Sequence, residues 1–411
     1  MIHKIIIFIL LFLSGGAIIQ IGIQDYFYVL FLALIVGCFL LSTKTIRISV
    51  PTIRNILLLF FLFLVLLLFR GESLVESATL DILLKFIILI IFSIYVSTFF
   101  PKSEDFFATM VATFEFIMKL SLFTFVCINI APGLLVIVTK KAAITNDQYQ
   151  TFFGLAFSTT NDVKKYHFVR NQSVFWEPGV FCVMINAVFM IKVLYLNQKE
   201  KLYWYWITIL SSISMGGIIV FCLINVIRPM LSGSKENLRQ KLPALALLIG
   251  IPLFVAVNFI YTYSSDMEVL LGALFHRDLS NDASVNTRYQ DFYYGFLAAE
   301  NQFWVGHGED FTDYYKVTLQ ALNTSKAAYN GGLTNSIISL FYSYGIFFLL
   351  TYMILIFKSA VQLSLRYALI IFFAFTGMLM LEPLHFSLFM VFMFTFRVRK
   401  KKKQAQLGVV I

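Results

Sequence analysis

Charge is scarce in this chain. Only 13% of its 411 residues are Asp, Glu, Lys or Arg, 59% are apolar, and the mean hydropathy is +0.83. That balance excludes an ordinary soluble domain. Also missing are the segments of about ten alternating residues that lipid-facing barrel strands need. The four cysteines (Cys38, Cys127, Cys182 and Cys222) all fall inside apolar runs, and no Cys-x-x-Cys spacing occurs. Neither a disulfide framework nor a zinc site is therefore expected, and each cysteine reads as a small buried residue. No glycine-rich phosphate loop is present, so no nucleotide or other cofactor is expected. The first apolar run, Ile5 to Gly22, is not followed by a small-x-small cleavage site before Asp25, and it reads as a span rather than a signal peptide.

What is present is a series of apolar runs of about 18 to 22 residues, the thickness of a bilayer crossed by helix. Spans are predicted at 5–22, 26–43, 55–69, 82–99, 117–138, 178–196, 202–214, 215–231, 242–260, 333–352, 363–381 and 385–396, an all-α polytopic membrane protein of about twelve helices in a single domain, 1–411. The segment 104–119 is read as lying along the inner interface. The pair 202–231 decides the orientation. A hairpin there, with "SISMGG" (Ser212 to Gly217) as its turn, puts Lys44, Arg47, Arg54, Lys199, Lys201, Arg228 and the basic tail 397–411 on the cytoplasmic side, as the positive-inside rule requires. Six of the 32 basic residues crowd into "RVRKKKK" in that tail. Anionic lipid headgroups explain this run, and the net charge of +10, without nucleic acid. Charge inside the spans is limited nearly to Lys85, Glu115 and Lys119.

Two loops on the outer face, 139–176 and 261–332, are too long to be connectors, and long loops in compact folds usually carry function. At the lip of the sixth span stands "RNQSVFWEPG". Pro178 suits the first turn of a helix, and Glu177 before it favours the positive end of the helix dipole. Arg170 and Glu177 read equally as an interfacial cation with a helix-start carboxylate, or as a site. The second loop contains "NTRYQDFYYGFLAAENQFWVGHG", Asn286 to Gly308. Guanidinium groups are planar, bidentate phosphate donors, so Arg170 and Arg288 on separate loops can clamp a diphosphate. His307, between two glycines, is placed to move a proton near neutral pH or to serve only as a turn residue. Asp266 and Glu268 form a short acid pair of the kind that holds a divalent metal, a weak match, and no metal is assigned. Ser212 and Ser214 either line a cavity or satisfy helix carbonyls. Glu382-Pro-Leu-His385 brings an acid and a histidine to the same outer face.

These blocks, with "TNSIISLFYSYGIFFLL" opening a later span, resemble the bacterial O-antigen and exopolysaccharide polymerases of the Wzy type, which are related to the O-antigen ligases. The resemblance runs from about Arg170 to Leu350. It implies a fold akin to the integral-membrane glycosyltransferases of the GT-C type and an inner-membrane location with both termini cytoplasmic. The implied substrates are undecaprenyl-diphosphate-linked oligosaccharides, joined at the periplasmic face. Carried over by residue, Arg170 and Arg288 match arginines that contact the diphosphate, and Tyr289 and Trp176 beside them join the substrate-binding set. Glu177 and His307 match the catalytic candidates. The implied partners are the bilayer, a chain-length regulator and a flippase. The family's Arg-x10-Gly repeat is not matched, since Phe181 and Ala299 stand at the two positions where it asks for glycine. Thr334-Asn335 stands where a ligase-type histidine would be, which favours polymerase over ligase. A flippase is the other alternative.

Overall fold

The computed structural model describes residues 1–15, 24–71, 77–131, 133, 135–141, 148–152, 156–159, 169–175, 177–231, 294–308, 311, 314, 317, 335–382 and 384–397. Among these the chain is mostly helical. Helices α1 (Ile2–Ser14), α2 (Gln24–Leu40), α3 (Val50–Arg70), α4 (Ser77–Phe99) and α5 (Ser103–Ile130) come first. Strands β1 (Val136–Lys141), β2 (Gln148–Phe152) and β3 (Ala156–Thr159) follow. Then come α6 (Pro178–Met190), which ends in a π-helical turn (Ile191–Tyr195), α7 (Tyr203–Ser212) and α8 (Met215–Leu231). The last described helices are α9 (Ser336–Leu363), α10 (Ala368–Leu381) and α11 (Leu388–Thr395). Among the described residues, five helices are long and apolar enough to cross a membrane: Val50–Arg70, Thr79–Phe99, Ser103–Ile130, Pro178–Tyr195 and Ser336–Leu363.

The centre of the bundle is α6 and α11. Every residue of both is buried, as expected of helices that are apolar on all sides. Aromatic rings fill the space between neighbours: Phe392 of α11 meets Phe92 of α4 at 4.8 Å and Phe106 of α5 at 5.6 Å, both edge-on. Polar groups stitch backbones together where no water competes. Asn55 Nδ2 donates to the Thr395 carbonyl at 2.9 Å, and Ser359 Oγ donates to the Met393 carbonyl at 2.7 Å.

The chain reverses between α7 and α8, where a turn was expected. Ile213 adopts a left-handed conformation (φ 51°), and beyond it Trp206 and Phe221 touch with ring centroids 4.7 Å apart. In one straight helix residues at that spacing would be about 22 Å apart. Phe189 of α6 contacts both Tyr205 and Phe221, at 5.3 and 4.6 Å, which places the two limbs side by side. Gly217 allows the close approach, since a Cβ there would lie 2.3 Å from Cys182 Cβ.

Several expectations are corrected. The segment 104–119 is the first half of one continuous helix, α5, because Phe106, Phe107, Met110 and Phe114 are buried rather than facing an interface. That helix stops at Ile130, and residues expected to end the fifth span instead form β1 of a three-stranded antiparallel sheet, so the chain is not purely α. Val136 pairs with Thr151 and Tyr149 with Thr159. The tenth span does not end at 352: α9 runs on to Leu363 because Leu355, Ile356, Ser359 and Ala360 continue a buried stripe. The span at 242–260, most of the second loop and residues 398–411 lie outside the described residues.

Candidate functional site

One end of the bundle holds those functional candidates that fall among the described residues. There α3 and α5 finish and α6 and α9 begin, and this end is called the mouth below.

Arg170 is held by its neighbours on both sides. Val169 N–H donates to Asn129 Oδ1 at 2.8 Å, and Asn129 Nδ2 donates back to the Val169 carbonyl at 3.1 Å. On the other side, Asn171 N–H donates to the Ser211 carbonyl at 3.1 Å, and its Nδ2 donates to Ser211 Oγ at 2.9 Å and Ser121 Oγ at 3.3 Å. The backbone then turns tightly: Ser173 has φ 54°, and Phe175 N–H donates to the Gln172 carbonyl at 3.0 Å. Arg170 itself is half-buried between these anchors. Such pinning fixes where the guanidinium can reach, which is what anion recognition requires.

Glu177 is the N-cap of α6 with extended backbone (φ −147°, ψ 145°) and Pro178 in the first turn, as the sequence indicated. Its side chain makes no capping hydrogen bond. Gly179 follows for a steric reason: a Cβ there would lie 1.8 Å from Glu382 Oε1. Glu382 belongs to the turn after α10, so the Glu-Pro-Gly block and the Glu382-to-His385 turn are in contact. Ser336, the first residue of α9, donates to the Glu382 carbonyl and accepts from Leu384 N–H at 2.6 Å. Asn335 caps α9, accepting from Ile337 and Ile338 N–H at 2.9 and 3.3 Å.

The Gly306-His307-Gly308 turn docks backbone to backbone on α9. His307 N–H donates to the Tyr342 carbonyl at 2.8 Å, Gly308 N–H to the Ser343 carbonyl at 2.9 Å, and Ile346 N–H to the Phe303 carbonyl at 2.9 Å. These bonds exist because α9 is broken at Gly345 (φ 74°, ψ 177°), a break that leaves helix carbonyls to be satisfied from outside. The imidazole of His307 stacks flat on Tyr342, with ring centroids 4.6 Å apart and an interplanar angle of 4°. Arg70, in the last turn of α3, completes the joint. Its Nη1 donates to the Val305 carbonyl at 3.1 Å and the Ser343 carbonyl at 2.6 Å, and its guanidinium lies over the Tyr344 ring at 5.7 Å.

No family model matches the chain, and no curated protein matches it. The site therefore stands on its own geometry. That geometry brings Arg170, Glu177 and His307 to one mouth through contacts with the first turns of α9 and the Glu382 turn. Trp176, Arg288 and Tyr289 lie outside the described residues, as do Asp266 and Glu268. Among the described residues, no group of three His, Cys, Asp or Glu side chains is arranged to hold a metal ion. Ser212 donates to the Ile209 carbonyl at 2.6 Å, in keeping with the carbonyl-satisfying reading, and lies 2.8 Å from Cys182 Sγ.

Two features escaped the sequence reading. Arg70 precedes Gly71, which has φ 67°, so locally it is an ordinary helix end. Nothing local names its partners, 235 and 273 residues away. Lys192 was left out of the charges within the spans, yet it is 4% exposed in the π-helical turn after α6 and pairs with Glu115. Its signal was a lone lysine inside an apolar run, which is a functional or structural pair by default.

Proposed function

We propose that the protein is a polysaccharide polymerase of the bacterial inner membrane, with about twelve spans, cytoplasmic termini and a periplasmic site. It joins oligosaccharide repeat units carried on undecaprenyl diphosphate. The observation that carries this reading is the meeting of the pinned Arg170, the N-cap Glu177 and the Gly-His-Gly turn at one mouth of an apolar bundle. In the reaction, a sugar hydroxyl of one unit attacks the anomeric carbon of another chain. The new glycosidic bond forms as the bond to diphosphate breaks, and undecaprenyl diphosphate departs. The hydroxyl proton passes to Glu177 or His307. Charge grows on the leaving diphosphate, and Arg170 and Arg288 meet it in a largely dry site where fixed cations act most strongly. Trp176 and Tyr289 give the sugars flat apolar faces, and a chain-length regulator and a flippase are the protein partners. Against a flippase, two of the lysines within the described helices pair with acids, Lys85 with Asp81 at 2.6 Å and Lys192 with Glu115, rather than lining a path.

The test is deletion and complementation. A strain lacking the protein is expected to carry one repeat unit on lipid A core. Complete absence of repeats would point to a ligase or flippase instead. Arg170→Lys keeps the charge and loses the planar fork, so complementation with it is expected to restore roughly a hundredth of the polymer at unchanged protein level. Wild-type polymer from Arg170→Lys would reduce Arg170 to an interfacial anchor.

A further inference from the structure

Glu382 is the one acid among the described residues that is buried, with 2% of its surface exposed. Its backbone is fixed at both ends of a tight turn. Its carbonyl accepts from Ser336 Oγ and, at 2.9 Å, from Leu384 N–H. The carboxylate is pressed against the start of α6, where a Cβ on Gly179 would meet Oε1 at 1.8 Å and Cδ at 2.7 Å. An ionised carboxylate taken out of water is strongly unfavourable unless positive groups face it. Here it faces the first turn of α6, whose leading N–H groups have no partner within the helix and carry the positive end of the dipole. Arg170 stands seven residues before Glu177, on the segment that leads into this helix start.

We propose that Glu382 is a positioning residue of the transfer site. It holds the Glu177-Pro178-Gly179 helix start in place, so that this start keeps its position when a diphosphate arrives. At 2% exposure it acts through these neighbours and does not touch substrate. The assignment rests on the polymerase reading of the same site. It also gives the glycine of the Glu-Pro-Gly block a physical cause, since a Cβ at position 179 would meet the Glu382 carboxylate where it now stands.

The experiment uses purified full-length protein with a lipid-linked repeat as substrate, and reads both turnover and thermal unfolding. Glu382→Gln preserves shape and removes charge, so kcat is expected to fall about tenfold or more while KM moves less than about twofold. Glu382→Asp keeps the charge one methylene further back and is expected to recover part of that loss, whereas a purely structural role predicts the reverse order, with the isosteric Gln the milder change. In the stability arm, Gly179→Ala is expected to lower the unfolding temperature, and adding Glu382→Asp to restore most of it, because the shorter side chain removes the clash. A wild-type kcat in Glu382→Gln overturns the proposal. So does Gly179→Ala damage that Glu382→Asp fails to relieve. If the wild-type protein joins no lipid-linked units, the polymerase reading falls, while the stability arm still decides whether Glu382 holds the α6 start.

Discussion

Replacing Gly345 by alanine is expected to unfold the mouth. At φ 74° and ψ 177°, Gly345 occupies a region essentially closed to residues with a Cβ. A Cβ would also lie 2.2 Å from the Trp304 carbonyl oxygen, 2.5 Å from its carbon and 2.7 Å from Val305 N. These are backbone atoms, and Arg70 and the Ile346-to-Phe303 hydrogen bond hold them in place. Neither relief route is open: the chain cannot adopt another conformation at Gly345 without breaking its bonds to the Gly-His-Gly turn, and the turn cannot retreat. The cost is expected to reach about 3 kcal/mol or more, a large share of the stability of an ordinary domain. Gly306 (φ 71°) faces the same limit, with Ser343 and Tyr344 backbone atoms at 2.5 Å. Gly37 of α2 is the control, because nothing lies within 4 Å of its missing Cβ. Gly37→Ala should be neutral or stabilising by up to about 1 kcal/mol. Thermal unfolding of the three alanine variants in detergent checks this; a Gly345→Ala protein as stable as Gly37→Ala would mean that the turn and the broken helix are not joined as described.

The second large effect is expected at the other end of α6. Lys192 Nζ pairs with Glu115 Oε1, Tyr205 OH donates to the same oxygen at 3.3 Å, and the ammonium lies 5.4 Å from the Tyr205 ring centroid. The two side chains are not equally buried: 5% of Lys192 is exposed and 18% of Glu115. Removing one partner of a buried pair strands the other, at a cost of about 3–5 kcal/mol, whereas removing both is often nearly neutral. Glu115→Leu leaves the deeper charge unpaired and should be the worse single change. Lys192→Met leaves a carboxylate with more access to the surface and should cost less. The double variant is expected to recover most of the loss, measured as a thermal unfolding cycle. Simple additivity of the two single losses would show that the pair contributes no coupling.

Apolar patterning made the bundle legible in the sequence. The runs 55–69 and 82–99 lie inside α3 and α4, and the sixth run begins at Pro178, the first residue of α6, because apolar length and a proline after a polar N-cap are local signals. The reversal at Ser212 to Gly217 was legible only through the charge balance on either side. What stayed hidden depends on distant partners. "FYSYGIFF" reads as unbroken helix with a tolerated glycine, and the break at Gly345 becomes intelligible only with Phe303 to Gly308 lying on it. The sheet at β1 to β3 was missed because Val136 and Ile137 extend an apolar run whose helix had already stopped at Ile130. At the candidate site, Arg170, Glu177 and His307 are singled out by residue type, whereas the anchors beside them, Asn129, Asn171, Arg70 and Ser336, are ordinary polar residues until their partners are known.

Joining of lipid-linked units by the purified protein tests the central claim most directly. Wild-type protein in a bilayer mimic is given an undecaprenyl-diphosphate-linked repeat and no other protein, and products are resolved by length. The account predicts a ladder of polymer and, for Glu177→Gln, a rate lower by roughly a hundredfold, as expected on loss of the proposed proton acceptor. If Glu177 were only a helix-start charge, its removal would cost about 0.3 to 1 kcal/mol of local dipole energy and leave the ladder nearly intact. No ladder from wild-type protein, or the same ladder at the same rate from Glu177→Gln, would contradict the account.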